Sequence, residues 1–470
     1  MIYINLISYF LLLTLIGYYF IINMQWYNYK IERVIFHHTK LWWHFVYFLA
    51  PFILFGVVSY FAHRYSFVVV ALYLPLFIFW YRDLDKKLVF TRRVKRFFGL
   101  LFLFAIFITF SFNIFTIIIP LALASLVSMS IEVMVFDGFK KRAKEKIESM
   151  DKLIVIGITA SYGKTSIKNF TEHLLKAKYK TYATPRSVNT IGGVVRDIND
   201  SLPSDTEVYI VEMGARGRGD IAQIATLVNP HFVIVGKIGP AHIEYFKSME
   251  NIRNTKMEIL QTNRLQKAFV HHSAVINPIE NIHQFGKDIT DIKSTLDGIS
   301  FRLDTKEYRT NILGDFNAMN ISASIKIAKI LDIDEETIDS RLQNLEPVAH
   351  RLQRIDAGGK IILDDSFNGN IDGMLSSFNL ASTYSGRKVV ITPGLVEVDD
   401  SLNIEVAKRA NEVFDIIIIT GDLNYHIFKE YIDVDKLYRL SDKSKMEEML
   451  VTHTVAGDLI LFANDAPNFI

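Results

Sequence analysis

Gly157-Ile158-Thr159-Ala160-Ser161-Tyr162-Gly163-Lys164-Thr165 is the stretch on which the reading of this chain turns. β-Branched residues crowd Leu153–Ile158 just before its end, and amphipathic spacing takes over across Ser166–Lys176, so the loop joins a strand to a helix. A glycine-bearing turn in that place brings backbone N–H groups and the positive end of a helix to one point, an arrangement suited to polyphosphate. Lys164 is spaced to reach the β- and γ-phosphates, and Thr165 to offer its hydroxyl to Mg²⁺. Ile158 stands at the first glycine of the common phosphate-loop pattern, so a chance Gly-Lys-Thr turn is the plain alternative; the flanking strand and helix favour the phosphate reading.

Downstream, short β-branched runs alternate with helical spacing. Val208–Glu212 and Phe232–Val235 read as strands, Asn317–Leu331 as a helix, and Asp334–Asn344 as an acidic helix. Leu345-Glu346-Pro347 breaks the pattern and marks a boundary. The alternation then restarts, with strands expected at Lys360–Leu363, Lys388–Ile391, Ile416–Thr420 and Leu459–Phe462. The expected fold class is an α-helical transmembrane region followed by α/β. A phosphate-loop central domain fills 151–345 and a smaller Rossmann-like C-terminal domain fills 346–470.

Upstream, residues 1–150 read as a multi-span anchor. Ile4–Ile22, Leu41–Ala62 and Tyr65–Tyr81 each approach the roughly 20 residues needed to cross a bilayer. Phe97–Phe136 is about twice that length and is expected to turn near Ser111-Phe112-Asn113, with Pro120 early in a fifth helix. The first stretch lacks a basic leader and a small-residue cleavage site, so it reads as a span and not as a signal peptide. Basic clusters follow the first, third and last stretches: Lys30, Arg33 and Lys40; Lys86, Lys87, Arg92, Arg93, Lys95 and Arg96; and Lys140, Lys141, Arg142, Lys144 and Lys146. With five spans all three fall on one side, which places the part after Asp151 in the cytoplasm, beside the inner membrane. A four-span count with one re-entrant helix is the alternative. A net charge of +2 gives no electrostatic case for nucleic acid, and the lack of cysteine rules out disulfides and thiolate chemistry.

Several further segments, in order, resemble the Mur ligases. The phosphate loop is similar to their G-x-T-G-x-x-G-K-T, with Ala160 at the second glycine. Thr184-Pro185-Arg186-Ser187-Val188-Asn189-Thr190 resembles T-P-x-S-x-N-T, and Glu212-Met213-Gly214 resembles E-x-G. Ile238-Gly239-Pro240-Ala241-His242-Ile243-Glu244 resembles N-I-G-x-A-H-x-E, and Lys256-Met257-Glu258-Ile259 resembles K-x-E-I. Gly314-Asp315-Phe316-Asn317-Ala318-Met319-Asn320 resembles G-x-H-N-x-x-N. His350-Arg351-Leu352-Gln353 and Asp364-Asp365-Ser366-Phe367-Asn368 resemble the elements that open the third domain. Lys237, Phe316 and Asn370-Ile371-Asp372 depart from the pattern, and apolar spans stand where the family carries its UDP-sugar domain.

The resemblance implies an ATP-dependent amide ligase, within the branch that joins D-Ala-D-Ala to UDP-MurNAc-tripeptide through an acyl phosphate. It implies ATP on Gly157, Thr159–Ser166, Asn317, Arg351 and Asp365, and two Mg²⁺ ions on Thr165, Glu212, His242 and a carbamylated Lys256. Lys164, Lys256 and His242 become the catalytic set, and Ser187, Asn189, Thr190 and Asn368 the substrate set. From spacing alone, His242 reads as structural, Lys256 as a solvated helix lysine, Glu212 as a strand-end acid, and Arg351 with Asp365 as an ion pair between domains. Partners implied are the two substrates, the bilayer and membrane enzymes of the same pathway. A Mur-type ligase acting on a poly-γ-glutamyl or other peptidyl acceptor is one alternative, and a membrane-bound ATP sensor is another.

Overall fold

The computed structural model describes residues 2–27, 29–36, 38, 40–84, 86–112, 116–186, 188–241, 243–274, 280–367, 369–396 and 398–464. The chain forms two compact units, Met1–Gly138 and Phe139–Ile470.

The first unit is helical. Among the described residues, four helices are long and apolar enough to cross a membrane: Tyr3–Trp26, Trp42–Phe61, Arg92–Ser111 and Ile118–Glu148. Ser66–Arg82 is apolar but, at 17 residues, shorter than those four. Aromatic side chains supply much of the packing, with Tyr9, Tyr19, Tyr47, Tyr73, Trp80 and Phe97 buried together. Pro51 has no N–H for the carbonyl four residues back, and the backbone widens into a π-turn over Phe45–Leu49 just before it. The Tyr73 hydroxyl donates to that Tyr47 carbonyl at 2.6 Å, supplying a partner that Pro51 cannot.

The second unit holds two six-stranded sheets and a small antiparallel one. The first sheet is all parallel, in the order Thr181–Ala183, Val208–Glu212, Ile154–Thr159, Phe232–Val235, Lys267–His271 and Ile282–Phe285. Its strands are near-continuous apolar runs because helices cover them, among them Lys164–Leu175 and Phe316–Ile330. Ile154–Thr159 sits where successive connections leave in opposite directions. Its carboxyl end is therefore the crevice in which α/β sheets bind ligands.

The second sheet runs Gln353–Ala357, Lys360–Asp365, Leu459–Ala463, Lys388–Thr392, Ile416–Thr420 and Leu437–Leu440, parallel except for its first strand. Between these sheets in sequence lies the antiparallel trio Ile289–Thr295, Gly298–Leu303 and Lys306–Thr310, which the strand reading did not anticipate. Within this unit, helical residues 139–148 lie against the helix Ile191–Asp200. There Lys146 Nζ donates to Ile198 O at 2.7 Å and Asn199 Nδ2 to Phe139 O at 3.0 Å.

Candidate active site

The phosphate-loop segment turns at Gly163, whose φ of +78° lies in the left-handed region, and the helix Lys164–Leu175 starts at once. Ser161 anchors the loop to the next strand's end: its N–H donates to Lys237 O and its hydroxyl to Gly239 O, both at 2.9 Å. Lys164 folds back over the turn, donating to Ala160 O at 3.0 Å and Ser161 O at 3.2 Å. Burial pulls its ammonium below the ordinary lysine range, Glu212 opposes this, and Arg351 adds to it.

Glu212, ending its strand with 1 % of its surface exposed, is where the loops converge. Thr165 Oγ1 donates to its Oε2 at 3.0 Å and Asn189 Nδ2 to its Oε1 at 2.9 Å. Lys168 Nζ lies 3.8 Å from Oε2. Asn189 is itself fixed by its carbonyl, which accepts from Gly214 N at 2.7 Å. A side chain at Gly214 would collide with the Asn189 amide, at 2.8 Å from Oδ1.

These groups border a cavity of about 790 Å³, large enough for a nucleotide and a second substrate. The second sheet closes its other side with Arg351, Asp365 and the first turn of the helix Ile371–Ser382. Arg351 is presented between two non-glycine residues in left-handed conformation, His350 (φ 63°) and Leu352 (φ 55°). His350 is held by a 2.7 Å bond between its Nδ1 and the buried Asp364. Burial lowers the Arg351 pKa, while Glu212 and then Asp365 favour its charge. Two of the departures from the family pattern meet at this margin: Lys237 Nζ lies 2.8 Å from Asp372 Oδ2. Ser376 also donates to Asp315 Oδ1 across it. Tyr162 is pushed up to about 12, first by burial and then by Asp372. The cavity is also lined by His271, His272, Phe285, Ile292, Phe316 and Met319. The Nδ1 of His272 is buried with no hydrogen-bond partner among the described residues.

Of the residues singled out from sequence, Ser161–Ser166, Asn189, Glu212, Arg351 and Asp365 share this cavity. Gly157, Thr159 and Ala160 lie beneath it, buried in or just after the strand, with Thr159 Oγ1 bonded to Met213 O at 2.8 Å. Asn317 is buried behind the wall, its amide donating to Leu313 O at 2.8 Å and accepting from Asn320 Nδ2 at 3.0 Å. Asn320, one turn on, is the asparagine that faces Gly163. Thr190 caps the helix Ile191–Asp200. Lys256 is buried at the end of the helix Met249–Met257 and pushed down to about 7, by burial first and then by Lys164, with Asp220, Glu258 and Glu212 opposing. His242, Ser187 and Asn368 lie outside the described residues. Among the described residues, no three His, Asp or Glu side chains come together in a group able to hold a metal.

Residues 158–328 match the Mur ligase middle domain. The chain belongs to the Mur ligase family. A relative from Synechocystis sp., named UDP-N-acetylmuramoyl-tripeptide–D-alanyl-D-alanine ligase, is 27 % identical to this Mur ligase over 323 residues, covering 66 % of the chain and 71 % of the relative. A relative of the same name from Bacillus subtilis is 25 % identical over 335 residues, covering 66 % and 72 %. Among solved structures, MurF from Acinetobacter baumannii superposes with a TM-score of 0.62 at 23 % identity, over 70 % of this chain and 77 % of that one. That likeness shows the fold, and it lies in the α/β part of this Mur ligase.

Proposed function

We propose that this Mur ligase joins D-Ala-D-Ala to UDP-MurNAc-tripeptide with cleavage of ATP. The observation that carries the proposal is the meeting of the Thr165 hydroxyl and the Asn189 amide on Glu212, at the mouth of a phosphate loop. A carboxylate is a poor electrophile, so the substrate carboxyl must first take the γ-phosphoryl group of ATP and release ADP. The amine of the dipeptide then attacks the acyl phosphate, loses its proton and expels phosphate. No side-chain nucleophile is needed, and none is offered by a cysteine.

Each part of the chain has a task in this scheme. Backbone N–H groups of 162–165 and the helix start bind polyphosphate. The Lys164 ammonium rests on two carbonyls at 3.0 and 3.2 Å, contacts that a phosphate oxygen can replace with a stronger charge-assisted bond. Arg351 faces the same space and can neutralise charge developing on the transferred group. His271 and His272, with Phe285, Phe316 and Met319, suit a purine face and edge. Closure of the second sheet excludes water from the acyl phosphate.

Magnesium fits the donor set on Thr165 and Glu212, a hydroxyl and a fully buried carboxylate beside a phosphate loop. When bound it supplies positive charge to the polyphosphate. Lys256 fits carbamylation: an amine at about 7 is largely neutral above that pH, and the neutral amine is the form that adds CO₂. We read His242 as a second metal ligand, Ser187, Asn189, Thr190 and Asn368 as acyl-substrate contacts, and 151–345 and 346–470 as the nucleotide and lid domains. The apolar helices before residue 150 we read as a membrane anchor of five spans, with the ligase on the cytoplasmic side where the basic clusters fall.

The test is the full chain in detergent, given ATP, Mg²⁺, UDP-MurNAc-tripeptide and D-Ala-D-Ala, with ADP and amide product both followed. Product with this pair is expected. Product only with a glutamate-type acceptor moves the chain to another Mur-type reaction, and nucleotide binding with no amide from any amine leaves a sensor.

A further inference from the structure

Lys168 lies one turn beyond Lys164 on the same helix face, and only 2 % of it is exposed. A buried ammonium is costly unless it is hydrogen-bonded and its charge is opposed, and here two carbonyls and a carboxylate do both. Its Nζ donates to Thr184 O and to Arg186 O, both at 2.6 Å, and the third direction is taken by Glu212 Oε2 at 3.8 Å. Both carbonyls belong to the segment that carries Asn189. That segment contains a non-glycine residue in the left-handed region, Arg186 at φ 49°, a conformation that needs holding from outside. The segment is tied to Glu212 twice more: Thr184 Oγ1 accepts from Glu212 N at 3.1 Å, and Asn189 Nδ2 donates to Oε1.

One side chain rooted in the phosphate-loop helix thus ties Thr184 and Arg186, in the stretch leading to Asn189, to Glu212. We infer that Lys168 is a positioning residue that couples the nucleotide side of the site to the 184–190 segment, so that a nucleotide seated on the phosphate loop orders the segment that meets the acyl substrate. The coupling rests on the ATP reading above. It needs no contact between Lys168 and either substrate. A nucleotide that draws Lys164 and Thr165 forward moves the helix on which Lys168 stands. Lys168 passes the constraint to two carbonyls that share no side chain with the nucleotide.

The experiment is hydrogen exchange on the full chain in detergent, with and without Mg²⁺ and a non-hydrolysable ATP analogue, for wild type, Lys168→Met and Lys168→Arg. In the wild type, the analogue is expected to slow exchange across 186–190. In Lys168→Met, the analogue should still bind within about threefold of wild type, measured by equilibrium dialysis, while exchange across 186–190 runs about tenfold faster and no longer responds to it. Exchange in Val208–Val211 should stay as in wild type, which separates loss of positioning from general loosening of the sheet. Lys168→Arg keeps charge and donors and should restore part of the response; it also carries the test should Lys168→Met fail to fold. A Lys168→Met protein whose 186–190 segment is protected by the analogue as in wild type overturns the coupling alone. A wild-type protein that binds no analogue overturns the ATP reading and the coupling with it.

Discussion

Replacing Gly163 by alanine tests the geometry of the phosphate loop in one step. At φ +78° an alanine meets its own carbonyl, which costs about 1–2 kcal/mol. Its new methyl would also sit 2.6 Å from Asn320 Oδ1 and 3.0 Å from Nδ2, so the amide must swing away. That movement breaks the 3.0 Å bond from Asn320 to Asn317, a further loss of about 1 kcal/mol. The sum is roughly 2–3 kcal/mol, or a fall of roughly 3–4 °C in the unfolding temperature of a unit as large as the α/β one. Gly219→Ala is the control, because Gly219 has φ +85° but nothing within 4 Å of the added carbon. It should show the backbone cost alone. The assay is thermal unfolding of both variants beside wild type, with titration of an ATP analogue. Gly163→Ala should be the less stable of the two by about 1 kcal/mol and bind the analogue at least about tenfold more weakly. Equal stability of the two variants refutes the contact with Asn320, and unchanged affinity refutes the placing of nucleotide on this turn.

Other perturbations separate roles within the site. Lys256 sits at about 7 in the fold against 10.5 when unfolded. Below pH 7 both states hold the proton and the fold bears the full cost of a buried ammonium, whereas between 7 and 10.5 only the unfolded chain keeps it, so this group makes stability rise with pH. Lys256→Met should therefore gain most on wild type below pH 7 and lose that advantage toward pH 10.5, read from denaturation midpoints; a pH-independent difference counts against it. Asn317→Ala should cost about 1–3 kcal/mol of stability, because Leu313 O and the Asn320 amide lose a buried partner. A variant as stable as wild type but unable to bind nucleotide would put that amide on the base instead. For Lys237→Ala and Asp372→Ala, a double-mutant cycle should give a coupling of about 0.2–1 kcal/mol at low salt that fades near about 1 M. Coupling that survives high salt would mean the pair is shielded on closure.

The sequence read the central parallel strands because their signal is local: short β-branched runs such as Val208–Glu212 and Ile416–Thr420 stand out against amphipathic helices, whereas Thr181–Ala183, Lys267–His271, Ile282–Phe285 and Leu437–Leu440, nearer the sheet edges and less uniformly apolar, were missed. The phosphate loop was legible for the same reason, since strand, turn and helix are contiguous. Sites built from distant segments were not. Asn320 and Asn317 differ by one turn, and only packing decides which faces Gly163 and which turns inward. Lys168 reads as one more helix lysine until Thr184 and Arg186 fold over it. The small antiparallel trio was missed because its exposed positions, such as Asp291, Lys293 and Thr295, are polar and leave no continuous apolar run to mark it. Asp297-Gly298, where the two-residue turn after Thr295 enters the second strand, was the available hairpin signal. The apolar helices were plain from composition, but their count rests on whether 17 residues suffice for Ser66–Arg82.

The turn that presents Arg351 has a mechanical consequence. With His350 and Leu352 both at positive φ, the connection into the second sheet is the least comfortable stretch of backbone beside the cavity, by about 1–2 kcal/mol for each residue. A seam in that condition yields before its surroundings do, so swivelling of the second sheet should concentrate there. On the ATP reading proposed above, a phosphate that draws the guanidinium inward would offset that discomfort and stiffen the joint.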